Sequence, residues 1–175
     1  SLTACSTTPV QKSGNTYTTS ITGWVQSTIS SDLFYVTVNV TYTHPNNYFV
    51  VDYFVRAASN LSASGQNQLL HLYLSHDTYI LGEDGSRGYR SVNSTGELVG
   101  NYRLATDTPG GCGGSENNPT YPSTHGFKTK EGFRSYYTGR YSSRDQIGSD
   151  LKLTNTINTS SCIDDGVAVE FTVGP

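Results

Sequence analysis

The chain has 175 residues, 34 % of them apolar and 14 % charged, with a formal net charge of −3 at pH 7. That length suits a single domain, residues 1–175, with one proper core. The mild negative charge and the lack of any basic run remove the electrostatic case for binding nucleic acid or an anionic membrane. No run of about 18 apolar residues is present to span a bilayer.

Ser, Thr, Asn and Gly fill the remaining composition, together with 13 Tyr. Thr and Tyr suit the exposed faces of strands, where branched and aromatic side chains fit a pleated surface. The sequence has no Met, so an exported chain that has lost a secretory signal is expected. The opening SLTAC also resembles the end of a lipoprotein signal with Cys5 as lipid site, although four residues that such processing removes precede the cysteine.

The first dozen residues, SLTACSTTPVQK, offer little apolar surface, and Pro9 would interrupt a central strand. Residues 1–20 therefore read as an extended arm or exchanged strand, with Leu2, Val10, Tyr17 and Ile21 as its anchors. In TYTTSITGWVQSTIS, Tyr17, Ile21, Val25 and Ile29 recur at helical spacing. The Thr and Ser content and Gly23 nevertheless favour a strand.

Strict alternation follows. In LFYVTVNVTY, Phe34, Val36, Val38, Val40 and Tyr42 share one face; in YFVVDYFVRA, Phe49, Val51, Tyr53, Val55 and Ala57 do the same, with Asp52 and Arg56 opposite. The two runs predict an antiparallel hairpin. QLLHLYL points Leu70, Leu72 and Leu74 inward and His71 outward. Asp107–Lys130 carries few apolar residues and reads as a long Gly-rich surface loop. RYSSRDQIGSDL offers one short turn of helix, and GVAVEFTV closes the chain as a strand. The predicted fold is an all-β antiparallel sandwich of about eight to ten strands. Its predicted core is Val36, Val38, Val40, Val51, Val55, Leu70, Leu72, Val169 and Phe171.

The densest candidate site is SHDTYILGEDGSRGYRS, Ser75–Ser91. Ser75, His76 and Asp77 are adjacent, and neighbours on a strand point to opposite faces, so they do not converge as a triad. His76 is expected at an exposed strand end. Asp77, Glu83, Asp84, Asp164 and Asp165 stand near glycines and would supply oxygens for Ca²⁺ if their two turns met. Asp-Gly is equally a hairpin-turn pair, which leaves both readings open. No cofactor is otherwise expected.

Three cysteines cannot all pair within one chain. Cys112 and Cys162, each in a loop, form the expected disulfide, and their spacings match no zinc pattern. Tyr136, Tyr137 and Tyr141 alternate with Arg134 and Arg140, a mixture suited to core packing, to a self-assembly surface or to a glycan platform. Asn-x-Ser/Thr sequons begin at Asn39, Asn60, Asn93 and Asn158.

DTYILGEDGSRGY, GFRSYYTGRYSS and LTNTINTSSCIDDGVAVEF together resemble a domain of secreted bacterial proteins, many of which carry IPTL- or PEP-type carboxy-terminal sorting tails. The likeness runs from about Tyr48 to Val173. It implies an exported, β-rich protein of the cell surface and supplies no catalytic residues; attachment through such a tail is not expected, since none follows Pro175. The expected function is a non-enzymatic extracellular structural protein, a self-assembling subunit of a bacterial surface filament or matrix fibre. The alternative is an adhesin module that binds glycan or peptide, with Ca²⁺ as its cation. A secreted hydrolase would need one of His44, His71, His76 or His125 to meet a carboxylate in a cleft.

Overall fold

Alternating branched and aromatic residues build strands throughout the computed structural model, which describes residues 3–27, 31–57, 61–62, 70–104, 107, 123–143, 150–159 and 162–173. Among these the chain is all-β, and its one helical element is the single 3-10 turn Tyr141–Ser143. That turn falls at the start of the segment expected to hold a turn of helix. The Gly-rich stretch around Cys112 lies outside the described residues. The chain divides into two compact units, Ser1–Leu69 with Gly174–Pro175, and Leu70–Val173.

The first unit holds β1 (Thr3–Thr7), β2 (Gln11–Ser13), β3 (Thr16–Gln26), β4 (Leu33–Thr43) and β5 (Phe49–Ala57). Their order is β1-β3-β4-β5, with β2 also on β3, and every pairing is antiparallel. The expected hairpin is β4–β5, with Val36 opposite Val55, Val38 opposite Tyr53 and Val40 opposite Val51. The segment with ambiguous spacing is strand β3, which sets Ile21 against Val38 and Val25 against Phe34.

The amino-terminal arm folds back on its own sheet. Ser6 pairs with Thr22 and Thr7 with Ile21, and Thr19 Oγ1 donates to the Thr8 carbonyl (2.7 Å). Of the arm's anchors, Ile21 is half-buried in β3 and Tyr17 stacks on Tyr42. Val10 is exposed, and Leu2 lies outside the described residues.

Burial here is shallower than the alternation suggests. Phe34 and Val36 are buried, but Val38, Val40, Val51 and Val55 are only half-buried. Within this unit the strands form one layer, and in-plane neighbours alone cannot shield a face of side chains.

The second unit holds β6 (Leu70–Asp77), β7 (Gly85–Asn93), β8 (Gly96–Arg103), β9 (Ser123–Thr129), β10 (Ser135–Arg140), β11 (Thr156–Ile157) and β12 (Ile163–Val173). The order is β11-β10-β12-β7-β8-β9, with β6 on β12. Only the two-residue β10–β11 pairing is parallel. β12 organises the unit. Its body lies between β10 and β6, while its first residues pair with β7, Ile163 opposite Ser86. The sheet folds over at that joint, so Val99 of β8 meets Val167 and Val169 of β12, with Leu74, Phe127, Phe133, Tyr136, Ile157 and Phe171 packed around them. Leu70, Leu72 and Phe171, expected in the core, are half-buried at its margin.

Between β6 and β7 the chain turns tightly. Ile80 and Glu83 exchange backbone hydrogen bonds (2.9 and 3.2 Å) around Leu81 (φ 56°) and Gly82 (φ 82°). The turn at this corner is therefore Ile80–Glu83, with Gly82 at its positive-φ position, while Asp84–Gly85, read as a hairpin-turn pair, leads into β7 instead.

Ser123–Thr129, read as part of a surface loop, is strand β9, paired with β8 from Glu97–Thr129 to Arg103–Ser123. Its only large apolar residue is Phe127, so backbone hydrogen bonds rather than an apolar stripe hold it. Gly100 and Gly126 face each other across this pair, and a Cβ on Gly100 would collide with the His125 carbonyl and stand 2.8 Å from Gly126 Cα. Gly100→Ala is expected to cost about 2 kcal/mol or more, since backbone cannot yield as a side chain does. Urea unfolding of wild type and variant checks this; an equal midpoint would contradict the β8–β9 register.

Candidate functional site

Three places in the fold hold chemistry: a buried carboxylate on each face of β12, a histidine pair between β6 and β9, and the outer edge of β5.

Glu170 points away from the Val167–Val169 core yet is fully buried. It accepts from His71 Nδ1 (2.7 Å), from Arg134 Nη1 and from Ser135 Oγ. Arg134 Nη1 also stands beside His71 Nδ1 (2.5 Å), so arginine, imidazole and carboxylate meet at one point. Burial alone would raise the Glu170 pKa, but these donors outweigh it and hold the acid below its ordinary value. The strap at residues 150–153 covers the group: Leu153 N–H donates to Ser135 Oγ (2.9 Å), and Tyr73 donates to the Leu151 carbonyl (2.6 Å). Ser, His and Glu thus meet, but not as a nucleophile and its base. Ser135 gives its proton to Glu170, and its hydroxyl is sealed from solvent. Removing one partner of such a set would strand a buried charge, so its role is to specify the packing of β10 and β6 on β12.

Asp165 is the opposite case. It is fully buried, and among the described residues its carboxyl has only long contacts, from Asn158 Nδ2 (3.4 Å) and Ser86 Oγ (3.5 Å). Burial, opposed by those two weak donors, pushes its pKa up to about 7. Its carbonyl accepts from both Thr78 N–H (3.2 Å) and Thr78 Oγ1 (2.6 Å), and Thr78 Oγ1 in turn accepts from Asn101 Nδ2 (2.9 Å). Asn101 Oδ1 is buried without a partner among the described residues. This set ties the corner to β8 and β12.

The two acidic turns do meet, since Asp165 N–H donates to the Asp84 carbonyl (3.3 Å) and Asp164 pairs with Gly85, but their carboxylates do not gather around one point. Asp77, Asp84 and Asp164 are exposed, and Asp164 and Asp165 leave β12 on opposite faces. Glu83 sits half-buried in the corner. Among the described residues, no group of three or more His, Cys, Asp or Glu is placed to share a metal ion.

His76, expected to be exposed, shares the inward parity of Leu72 and Leu74. It is half-buried against Phe127 (centroids 4.6 Å) and His125 (4.3 Å, planes at 70°). His125 Nε2 stands 3.1 Å from His76 Nε2. No ladder joins β6 to β9 among the described strands, so these rings bridge the open seam of the unit. Burial, then the neighbouring His125 ring, lowers the His76 pKa to about 4; burial also lowers that of His125.

The aromatic–arginine cluster is dispersed by strand alternation. Tyr136 faces the core beneath Arg90 (4.8 Å), while Tyr137 lies on the other face with its hydroxyl on the Arg140 carbonyl (3.4 Å). Arg134 is committed to Glu170, Arg140 is exposed, and Tyr141 is half-buried in the 3-10 turn. No single platform results. Of the cysteines, Cys162 is in a disulfide and Cys5 is a free exposed thiol; Cys112, the expected partner, lies outside the described residues. Among the sequons, Asn39 accepts from Ser20 Oγ (2.7 Å), Asn158 contacts Asp165, and Asn60 lies outside the described residues.

The third place was not singled out as a site from the sequence. Among the described residues β5 pairs only with β4, so no described strand lies along its outer edge. Around it Tyr48 (59 %), Phe49 (61 %), Val50 (48 %) and Phe54 (57 %) are exposed. An open edge of nine residues with exposed aromatic side chains is a template for another strand. No helix among the described residues is long and apolar enough to cross a membrane.

The two buried titrations oppose each other. Asp165, raised from 3.8 to about 7, contributes stability in acid that is lost as pH rises towards 7. His76, lowered from 6.5 to about 4, contributes stability above pH 6.5 that is lost as pH falls towards 4. Relative to wild type, Asp165→Asn is expected to gain on the order of 2 kcal/mol between about pH 4 and 7, and His76→Phe to lose a similar amount over that range. Urea unfolding at stepped pH reads both; parallel pH profiles for wild type and variants would contradict the two burials.

The chain matches no protein-family model, no curated protein and no solved structure, so its function rests on its own residues.

Proposed function

We propose that the chain is a non-enzymatic, exported structural protein that associates with copies of itself through the sheet edges of its first unit, as a subunit of a bacterial surface oligomer, filament or matrix fibre. The observation that carries this reading is the open β5 edge with Phe49, Val50 and Phe54 exposed beside it. Such a strand offers unpaired backbone groups and apolar surface together, the two things strand addition needs.

Support also comes from what the polar centres do. Glu170 and Asp165 are sealed inside the second unit, and their partners are used up in holding strands and a corner together. The small share of charged residues, 14 %, and the Thr-rich faces limit repulsion where copies approach closely. Export and a bacterial surface location follow from the resemblance in DTYILGEDGSRGY and the segments after it. β1, short and exposed at the other edge, is a second site for strand exchange.

Val50→Lys combined with Phe54→Lys places charge on the exposed edge without touching the core. Sedimentation velocity over a concentration series is expected to show association in wild type and a monomer in the variant, with unchanged melting. If the variant associates as wild type does, the β5 edge is not the contact.

A further inference from the structure

The face of β5 that carries Phe54 is self-complementary. Val50, Asp52, Phe54 and Arg56 alternate along it, and the strand's apolar partners lie on the reverse face. Asp52 is exposed opposite Asn39 and makes no ion pair among the described residues. Arg56 stacks on Tyr35 at 4.8 Å and likewise has no carboxylate partner there. Four residues apart on one strand, the two charges are separated by roughly 13 Å and cannot pair with each other.

A second copy resolves this. In an antiparallel pair, opposed residues either both direct their hydrogen-bonding groups at the partner strand or both direct them away. When a strand pairs with its own copy, opposed residues must therefore share parity, so register shifts come in steps that preserve each face. Among these registers, the one centred on Phe54 sets Asp52 opposite Arg56 of the other copy, twice, by two-fold symmetry. Centring on Asp52 or on Arg56 places like charges opposite each other, which is destabilising. Centring on Tyr53 or Val55 leaves both charges against uncharged residues or beyond the strand.

From this pattern we infer that β5 pairs with β5 of a second copy of the chain, antiparallel and centred on Phe54, joining two sheets into one. The register brings Phe54 against Phe54, Tyr53 against Val55, and Val51 against Ala57. The contact is isologous and closes on itself. It yields a dimer, and growth beyond two copies then falls to the β1 edge. This deepens the proposed function and rests on its claim that the chain self-associates.

The test is a charge reversal and its rescue, measured by sedimentation on the full chain. Asp52→Arg and Arg56→Asp each set like charges opposite one another at two symmetric positions, and each is expected to weaken dimerisation at least tenfold. The double variant Asp52→Arg/Arg56→Asp restores both pairs and is expected to return to near wild-type affinity. Both residues are exposed, and melting curves confirm that the variants fold. If wild type dimerises but the single reversals are silent, or the double variant stays as weak as the singles, the register is wrong while self-association stands. If wild type is monomeric at high concentration, the proposed function fails and this register with it.

Discussion

A β-strand carries hydrogen-bonding groups on both sides, and every strand of a sheet except the outermost two uses both. This chain meets that demand differently in its two units. In the second, β12 is flanked by β10, β6 and β7, and the sheet folds over so that apolar side chains of β8 and β12 meet. The margins β6 and β9 are not joined by a ladder, but His76, His125 and Phe127 fill the seam with rings. In the first unit the order β1-β3-β4-β5 ends on a long strand with nothing beyond it among the described residues. An edge of that kind is normally shortened, bulged or loaded with lysine. β5 instead carries one acid and one arginine, Asp52 and Arg56, which face each other across two copies in the proposed pairing.

The buried polar groups serve the same architecture. β12 has one buried carboxylate on each face, and each fixes something that apolar contacts alone leave free to slide. Glu170 draws His71 of β6 and Ser135 of β10 to one point, which pins the register of both neighbours. Asp165 lies where the corner at Thr78 meets β12, and a neutral acid suits that water-poor place better than an ionised one. Their opposite pKa directions follow from the donors each was given: three strong ones for Glu170, two long ones for Asp165.

Much of the fold was legible because alternation is a direct consequence of strand geometry. The β4–β5 hairpin, the facing of its valines, and the strand character of β3 despite its spacing of four all followed from residue type and period. β9 was hidden, since STHGFKT has no apolar alternation and Gly100 meets Gly126 through backbone alone. The sites were less legible. Glu170 was visible only as an acid between Ala168 and Thr172 on the face opposite Val167 and Val169, and nothing local announces that His71 and Arg134 meet there. A place at a strand end argues for solvent at His76, although its parity with Leu72 and Leu74 points inward. The β5 edge could not be read from one chain's pattern, because edge position depends on what does not pair.

Amide hydrogen exchange of Phe49–Ala57 at low and at high protein concentration tests the central claim most directly. About half of these amides should be slow at both concentrations, because β4 already holds them, and the remainder should become slow only when copies associate. Association with no added protection in Phe49–Ala57 would contradict the account.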